Sequence, residues 1–99
     1  MNISTLMDLA RQNHNVRSDR HLAARESWSQ TTVSHWRTGR CVPSPENLIT
    51  LCNLADIPVE VGLAWRNAWE AHGEAKSICV RIAEDVTRNA GVSLPSEAA

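Results

Sequence analysis

Residues 18–40, SDRHLAARESWSQTTVSHWRTGR, determine the fold predicted for this chain of 99 residues. Ser18 and Ser29 are each placed to accept a backbone N–H bond at the first turn of a helix. Gly39 follows the second segment and is the residue type that most often ends a helix. The stretch therefore predicts two short helices joined by a turn of about three residues, the second spanning residues 29–38.

The second segment needs a separate argument, because its β-branched Thr31, Thr32 and Val33 are also common in strands. Val33 and Trp36 are three residues apart, which is the spacing of an inward helical face. With a serine before it and a glycine after it, the segment is predicted to be helical. The opposite, exposed face then carries four polar side chains: Gln30, Thr31, Ser34 and His35.

Those side chains are suited to the edges of DNA bases in the major groove. The amide of Gln30 can bond both N6 and N7 of adenine, and Thr31 offers a methyl group for thymine. We therefore predict base contacts by Gln30, Thr31, Ser34 and His35. Thr38, Arg40 and the backbone at Gly39 are within reach of the flanking phosphates. Arg37 either contacts phosphate as well or pairs with an acidic side chain of the domain.

Composition indicates one ordinary globular domain, with 42% hydrophobic and 21% charged residues. No apolar run approaches the roughly 20 residues of a membrane span. The N-terminus lacks the features of a signal peptide, so we expect a cytoplasmic protein. Cys41, Cys52 and Cys79 show no metal-ligand spacing and are interpreted as reduced thiols. We expect no metal, no cofactor and no enzymatic activity, because no carboxylate pair, Cys–His arrangement or phosphate-binding loop is present.

The formal net charge of −1 hides an uneven distribution. Residues 1–40 contain six arginines and three acidic residues, a balance of +3. Residues 41–99 contain four basic and eight acidic residues, a balance of −4. This asymmetry is typical of a DNA-contacting part joined to an assembly or regulatory part. Chance remains the simpler explanation, since the contrast is small.

The rest of the chain is predicted to be helical, giving an all-α, compact bundle of five to six helices. Apolar spacing predicts a first helix at residues 3–13. Ser44, Pro45 and Glu46 form a strong start signal for another helix. Further helices are expected at residues 59–72 and 74–89. We divide the chain into a DNA-binding domain (1–58), a helical dimerisation extension (59–89) and a flexible tail (90–99).

Residues 3–58 resemble the Cro/repressor (Xre-type) helix-turn-helix regulators of phages and bacteria. The resemblance rests on this pattern: Leu22-Ala23, Ser29-Gln30, Val33-Ser34, Trp36-Arg37, Gly39 and Pro43-Ser44. It implies base contacts at the four positions above and phosphate contacts at or beside Ser18, Asp19, Arg20, Thr38 and Arg40. We add Ser29 and Arg37 to the predicted phosphate contacts, with the alternative for Arg37 given above. It also implies a homodimer on a palindromic operator, with repression and a phage or prophage origin expected.

The turn departs from the family pattern, which has an apolar residue, a glycine and a small apolar residue. This chain has Glu26, Ser27 and Trp28 there. Ser27 would take the left-handed conformation at a tolerable cost. Glu26 either turns to solvent or pairs with Arg25 or Arg37, while Trp28 replaces the missing apolar volume.

The last third of the chain carries more large apolar side chains than a core already filled by four helices needs. Aromatic anchors are enriched at protein interfaces. We therefore predict a homodimer interface formed by Val61, Trp65, Trp69, Ile78 and Ile82. The alternative is that the two tryptophans are core residues of the chain itself. The acidic residues of this half either bind a second protein or simply form a solvent-exposed surface.

Two functions remain open from the sequence. The leading one is a DNA-binding transcription regulator. The alternative is a protein-interaction module, such as an antitoxin or adaptor, whose main partner is a protein.

Overall fold

The computed structural model describes residues 1–95, and this part of the chain folds into six α-helices without any strand. The all-α prediction is confirmed. None of the six helices is both long and apolar enough to cross a membrane. Residues 96–99 of the predicted tail lie outside the described part. The helices are α1 (Ile3–Asn13), α2 (Asp19–Glu26), α3 (Gln30–Arg37), α4 (Pro45–Ala55), α5 (Val59–Glu70) and α6 (Glu74–Asn89).

Short polar side chains begin the first four helices, as each helix start leaves backbone N–H groups without a partner. Ser18 Oγ accepts from the backbone N–H of His21, and Ser29 Oγ accepts from that of Thr32. Ser44 caps α4 in the same way, with Pro45 at the first helical position. The three predicted serine caps are therefore confirmed, and Asn2 adds a fourth at α1.

Left-handed residues follow several of these helices and turn the chain. Ser27 has φ 59° after α2, as expected, and Gly39 has φ 77° after α3. The extension of α5 to residue 72 was wrong, because α5 ends at Glu70. Ala71 is extended there, with ψ 151°, and its carbonyl therefore leaves the helical direction.

The core forms where α1 packs on α4 and α4 packs on α5, with the α2–α3 pair joined to α1 through α3. Leu6, Leu22, Leu48 and Leu51 have no exposed surface. Burial of apolar side chains like these stabilises the fold by about 1.5–3 kcal/mol each. α6 lies outside this arrangement and packs mainly on α5.

The contact between α4 and α5 is unusually close at Gly62. A Cβ atom at this position would lie only 2.1 Å from the Sγ atom of Cys52, so no larger residue fits without movement. Cys52 is itself fully buried. Burial disfavours its thiolate and, with a smaller contribution from Glu60, raises the pKa of the thiol to about 11.

One buried hydrogen-bond chain joins α5 to α6. Trp65 Nε1 donates to Thr87 Oγ1 at 2.9 Å, and Thr87 Oγ1 donates to the carbonyl of Ala83 at 2.7 Å. After α6, Val92 and Leu94 are half-buried against the core. This part of the predicted tail therefore contributes apolar contacts.

Candidate nucleic-acid interface

The helix α3 has one buried and one exposed face, divided as the sequence pattern predicts. Val33 is 1% exposed and Trp36 is 2% exposed, and both belong to the core. Gln30, Thr31 and Ser34 are exposed on the opposite side. We call these three residues the polar face of α3. Each of these three side chains carries a hydrogen-bonding group, and Thr31 adds a methyl group.

His35 lies at the edge of this face and is half-buried. Its Nε2 atom is 3.4 Å from NH1 of Arg40, the first charged residue after the helix. The backbone N–H of Arg40 also donates to the carbonyl of His35 at 2.9 Å. The imidazole is therefore tied to Arg40 rather than standing free beside Ser34.

The turn before α3 is held by a pair of tryptophans. Trp28 and Trp36 meet edge to face, with ring centroids 4.9 Å apart and planes at 77°. This geometry is favourable for aromatic rings. Trp28 Nε1 also donates to Oδ1 of Asn47 on α4 at 3.1 Å. Trp28 is half-buried against the core, in agreement with the expectation that it replaces the missing apolar volume.

Arg37 joins α3 to both preceding helices. Its Nε and NH2 atoms donate to the two carboxylate oxygens of Asp19 at 2.9 and 2.8 Å. Its NH1 atom lies 2.9 Å from Oδ1 of Asp8 and donates to the carbonyl of Ser4 at 3.2 Å. We call Arg37, Asp19, Asp8 and Ser4 the arginine clamp. It fixes the angle between α1, α2 and α3.

The clamp shifts the acid–base equilibria of its two central groups. Hydrogen bonds from Arg37 hold the pKa of Asp19 below its ordinary value, and the charges of Arg37 and Arg11 act in the same direction against partial burial. The hydrogen bond to Asp19 likewise raises the pKa of Arg37. Both residues are therefore ionised at neutral pH.

Arg37 and Asp19, both predicted as phosphate contacts, are paired with each other in the structure. Of the two roles left open for Arg37, the structure shows pairing within the domain, because its donors point at Asp19, Asp8 and Ser4. Asp19 is a carboxylate occupied by Arg37, and its charge would repel phosphate. Both residues therefore support α3 through contacts within the domain.

The remaining predicted phosphate contacts flank the polar face. Arg20 on α2 and Arg40 after α3 are exposed. Ser29 and Thr38 are exposed at the two ends of α3, and Ser18 is half-buried at the start of α2. The Thr38 hydroxyl is within bonding distance of the carbonyls of Ser34 and His35. Ser29, Thr38 and Arg40 thus lie at or just beyond the ends of α3, while Ser18 and Arg20 lie at the start of α2.

Glu26 in the turn pairs with its neighbour. Its Oε2 atom accepts from Nε of Arg25 at 3.3 Å, while its side chain is 20% exposed. Of the partners considered from the sequence, the structure therefore shows Arg25, because Arg37 is occupied by Asp19. Sequence reasoning missed Ser4 and Asp8 as partners of Arg37, since nothing in local spacing links residues so far apart in the chain.

The predicted dimer interface is only partly exposed. Val61 has no exposed surface and Trp65 is 8% exposed, so both belong to the core of this chain rather than to a surface. Trp69 is half-buried and its Nε1 donates to the Met1 carbonyl at 2.9 Å. Ile78 and Ile82 are 42% and 52% exposed.

Exposed apolar surface is concentrated on the last two helices. The large hydrophobic side chains exposed among residues 1–95 are Leu63, Ile78 and Ile82. Asn67, one turn after Leu63, contacts Cys79 beside Ile78, with Nδ2 and Sγ 3.7 Å apart. Leu63, Ile78 and Ile82 therefore border the same side of the α5–α6 pair, which we call the apolar outer face.

Residues 1–95 contain no group of three or more His, Cys, Asp or Glu side chains that could hold a metal ion. The site is thus described by the polar face of α3, its basic flanks and the arginine clamp. No protein-family model matches this chain, and no curated protein or solved structure shows significant similarity to it.

Proposed function

We propose that the chain is a sequence-specific regulator of transcription that binds double-stranded DNA. In this proposal α2 and α3 form a phage-repressor-like helix-turn-helix, and α3 is the recognition helix that enters the major groove. The observation that carries the proposal is the polar face of α3. Gln30, Thr31 and Ser34 are exposed together, while Val33 and Trp36 hold the helix against the core.

A rigidly held α3 favours sequence-specific base contacts over non-specific binding to DNA. Recognition of a base edge requires a side chain to start from a fixed position, since each hydrogen bond tolerates little displacement. The tryptophan pair and the arginine clamp both restrain the last turn of α3, through Trp36 and Arg37 respectively. Arg20 at the start of α2 and Arg40 just after α3 are exposed and would supply positive charge for contacts with DNA phosphates.

We further propose that two copies bind a palindromic operator. The apolar outer face, with Ile78 and Ile82, is the surface on which the copies would meet. A two-fold dimer matches the symmetry of a palindrome and would place the recognition helices about 34 Å apart, one turn of DNA. This proposed interface includes the exposed Leu63 and leaves out Val61, which was predicted from the sequence but is buried.

A protein-interaction module is the second candidate, and the same apolar outer face favours it. Two exposed acidic side chains accompany Ile78 and Ile82 at helical spacing on α6, namely Glu74, four residues before Ile78, and Asp85, three residues after Ile82. This surface could receive a different protein of basic character. Salt dependence separates the candidates, because DNA affinity falls steeply as salt displaces the arginines from phosphates.

Selection of bound sites from a pool of random double-stranded DNA tests the first candidate. We expect recovery of one palindromic sequence whose half-sites are separated by about one helical turn. Binding to that site should fall with a linear slope of log affinity against log salt. Recovery of sequences without a common motif would contradict sequence-specific binding by α3.

Single substitutions then distinguish base from phosphate contacts. Gln30→Ala should weaken operator binding by about 1–3 kcal/mol and relax the preference at one base pair. Arg40→Ala should weaken all sequences about equally and reduce the salt slope by about 1. Gln12→Ala on α1 is a matched control, because Gln12 is also exposed but belongs to α1 and not to the polar face of α3. Equal losses on all sequences from both Gln30→Ala and Arg40→Ala would exclude base readout by Gln30.

A further inference from the structure

A cavity of about 190 Å³ lies where four segments of the chain meet. The segments are the start of α1, the loop after α3, the end of α5 and the start of α6. Ile3, Val42, Pro43 and Trp69 provide most of its lining, which is therefore largely apolar. Lys76 is the charged residue in the lining. The cavity thus combines an apolar wall with one cation.

Lys76 is the single lysine of the chain, all other strongly basic side chains being arginines. Its Nζ atom donates to the carbonyl of Ala68 at the end of α5, at 3.1 Å. An ammonium group has three N–H donors, so this bond leaves donor capacity for another acceptor. The bond also holds the ammonium group near the end of α5, although Lys76 as a whole is exposed.

Two hydrogen bonds keep the walls in place. Trp69 Nε1 donates to the carbonyl of Met1 at 2.9 Å, which fixes the indole against the start of the chain. Arg66 Nε donates to the carbonyl of Pro43 at 2.7 Å, which fixes the loop against α5. A ligand would therefore meet a preformed site and would not have to order the walls itself.

We propose that this cavity is a binding site for a small apolar carboxylate. A cavity of about 150 Å³ is enough for a benzene-sized molecule, so the volume suits an aromatic or branched aliphatic acid. The carboxylate would accept a charge-assisted hydrogen bond from Lys76. The hydrocarbon part would contact Ile3, Val42 and Trp69, which gives the site its preference for apolar acids.

Occupancy of the cavity would also affect α3, a consequence that rests on the proposed function. Gly39 and Cys41 line the cavity and belong to the loop that leaves α3. The backbone N–H groups of Arg40 and Cys41 both donate to the carbonyl of His35, at 2.9 and 3.3 Å. A ligand that displaces this loop would move Arg40, the proposed phosphate contact, and so change DNA affinity.

The single lysine provides a specific test by NMR. Protein labelled with ¹³C at lysine gives one side-chain signal set, that of Lys76, which is followed during titration with sodium benzoate. We expect a saturable shift, with benzamide binding about tenfold more weakly because it lacks the charge. Val42→Phe should abolish the benzoate shift by filling the cavity, and an unchanged unfolding midpoint would show that this variant is folded.

Three results would overturn the site. These are no saturable shift with benzoate, an equal response to benzamide, or an unchanged response in folded Val42→Phe. Lys76→Gln, followed by tryptophan fluorescence, gives a second measurement and should also lose the preference for benzoate over benzamide. Arg81→Gln removes the same charge from the exposed side of α6 and should leave benzoate binding unchanged.

The regulatory consequence has its own measurement. Benzoate at saturation should change operator affinity by about fivefold or more, the usual range of coupling between two sites. If benzoate shifts the Lys76 signal but leaves operator affinity unchanged, the binding site is supported and its regulatory role is overturned. Failure to bind any DNA would overturn the proposed function, while the NMR titration would still decide the binding site.

Discussion

The helices α3 and α6 are both amphipathic, yet they leave opposite kinds of surface exposed. α3 has eight residues and exposes Gln30, Thr31 and Ser34. α6 has 16 residues and exposes Ile78 and Ile82. Periodicity alone would assign both helices one inward and one outward face. The chemistry of the outward face is what separates a surface suited to base edges from one suited to another apolar surface.

The two helices also differ in how they are held. α3 is fixed by the tryptophan pair on one side and by the arginine clamp on the other. α6 packs mainly on α5, with Thr87 as the centre of a buried hydrogen-bond chain. We therefore expect substitutions around α3 to alter the whole domain. Substitutions on the outer side of α6 should alter assembly more than folding.

The largest effect is expected for Trp36→Ala. It removes a side chain that is 2% exposed and the edge-to-face contact with Trp28, so the free energy of unfolding should fall by about 3–5 kcal/mol. Urea denaturation followed by circular dichroism measures this loss. Ser34→Ala, on the exposed face of the same helix, should stay within about 0.5 kcal/mol. Equal losses for both variants would contradict the division of α3 into two faces.

Arg37→Met should have the next largest effect on stability. It leaves Asp19 without its main partner, and we expect a loss of about 1–3 kcal/mol, because the pair is partly exposed rather than fully buried. Arg81→Met on α6 is the matched control, since Arg81 is exposed. A loss of the same size for Arg81→Met would show that the clamp has no special role.

Thr87→Val tests the connection between α5 and α6 at nearly constant shape. It leaves the buried Nε1 donor of Trp65 without the hydroxyl that accepts its bond. We expect a loss of about 1–2 kcal/mol in the free energy of unfolding, measured by urea denaturation. Thr50→Val, which removes a hydroxyl bonded only to the Glu46 carbonyl, should cost less. The reverse order would contradict a structural role for the Trp65–Thr87 bond.

Acid should weaken the domain through Asp19. Because Arg37 lowers the pKa of Asp19 in the folded state, the ionised carboxylate stabilises the fold. This contribution is fully present above the ordinary aspartate pKa of about 3.9 and is lost as the pH falls through the lower, folded-state value. Urea midpoints measured between pH 7 and pH 2 should therefore fall less in Asp19→Asn than in the unsubstituted chain. A parallel fall would exclude Asp19 as a source of the acid sensitivity.

Ile82→Ser should have the smallest effect on folding, because this side chain is 52% exposed. The free energy of unfolding of the monomer should change by no more than about 0.5 kcal/mol. Self-association, measured by sedimentation equilibrium, should weaken by about tenfold or more, since two copies each lose apolar contact area. Glu84→Ala is the control on another side of α6. A chain that stays monomeric at micromolar concentration before substitution would overturn the dimer proposal.

Local rules were sufficient for most helix boundaries, although α5 ends at Glu70 and not at residue 72. Serine caps and Pro45 mark the starts of α2, α3 and α4 within a few residues. The bounds of α1 and α6 agree with those predicted from apolar spacing and the neighbouring residues. The same rules could not decide which apolar residues face inward. Val61 and Ile82 have similar chemistry, and only the packing of α5 between α4 and α6 buries the first and exposes the second.

Local rules also could not predict which side chains pair when they are far apart in the sequence. From the sequence, Arg37 could contact either a DNA phosphate or a carboxylate of the domain. Which of the two it contacts depends on where α1 and α2 lie relative to α3. Asp8 and Asp19 reach it only after these helices pack. The polar residues of the candidate site were easier to identify, because exposure on a short capped helix follows from periodicity.

The close contact between Cys52 and Gly62 gives the chain an internal reporter of opening. A thiol with a pKa of about 11 that is fully buried should react with an aromatic disulfide reagent only when α4 and α5 separate. Cys41 is exposed beside the end of α3, and Cys79 is half-buried beside Ile78. The three thiols therefore label three places at once, and their separate reaction rates would report on covering of the end of α3, covering of the apolar outer face and transient opening of the core.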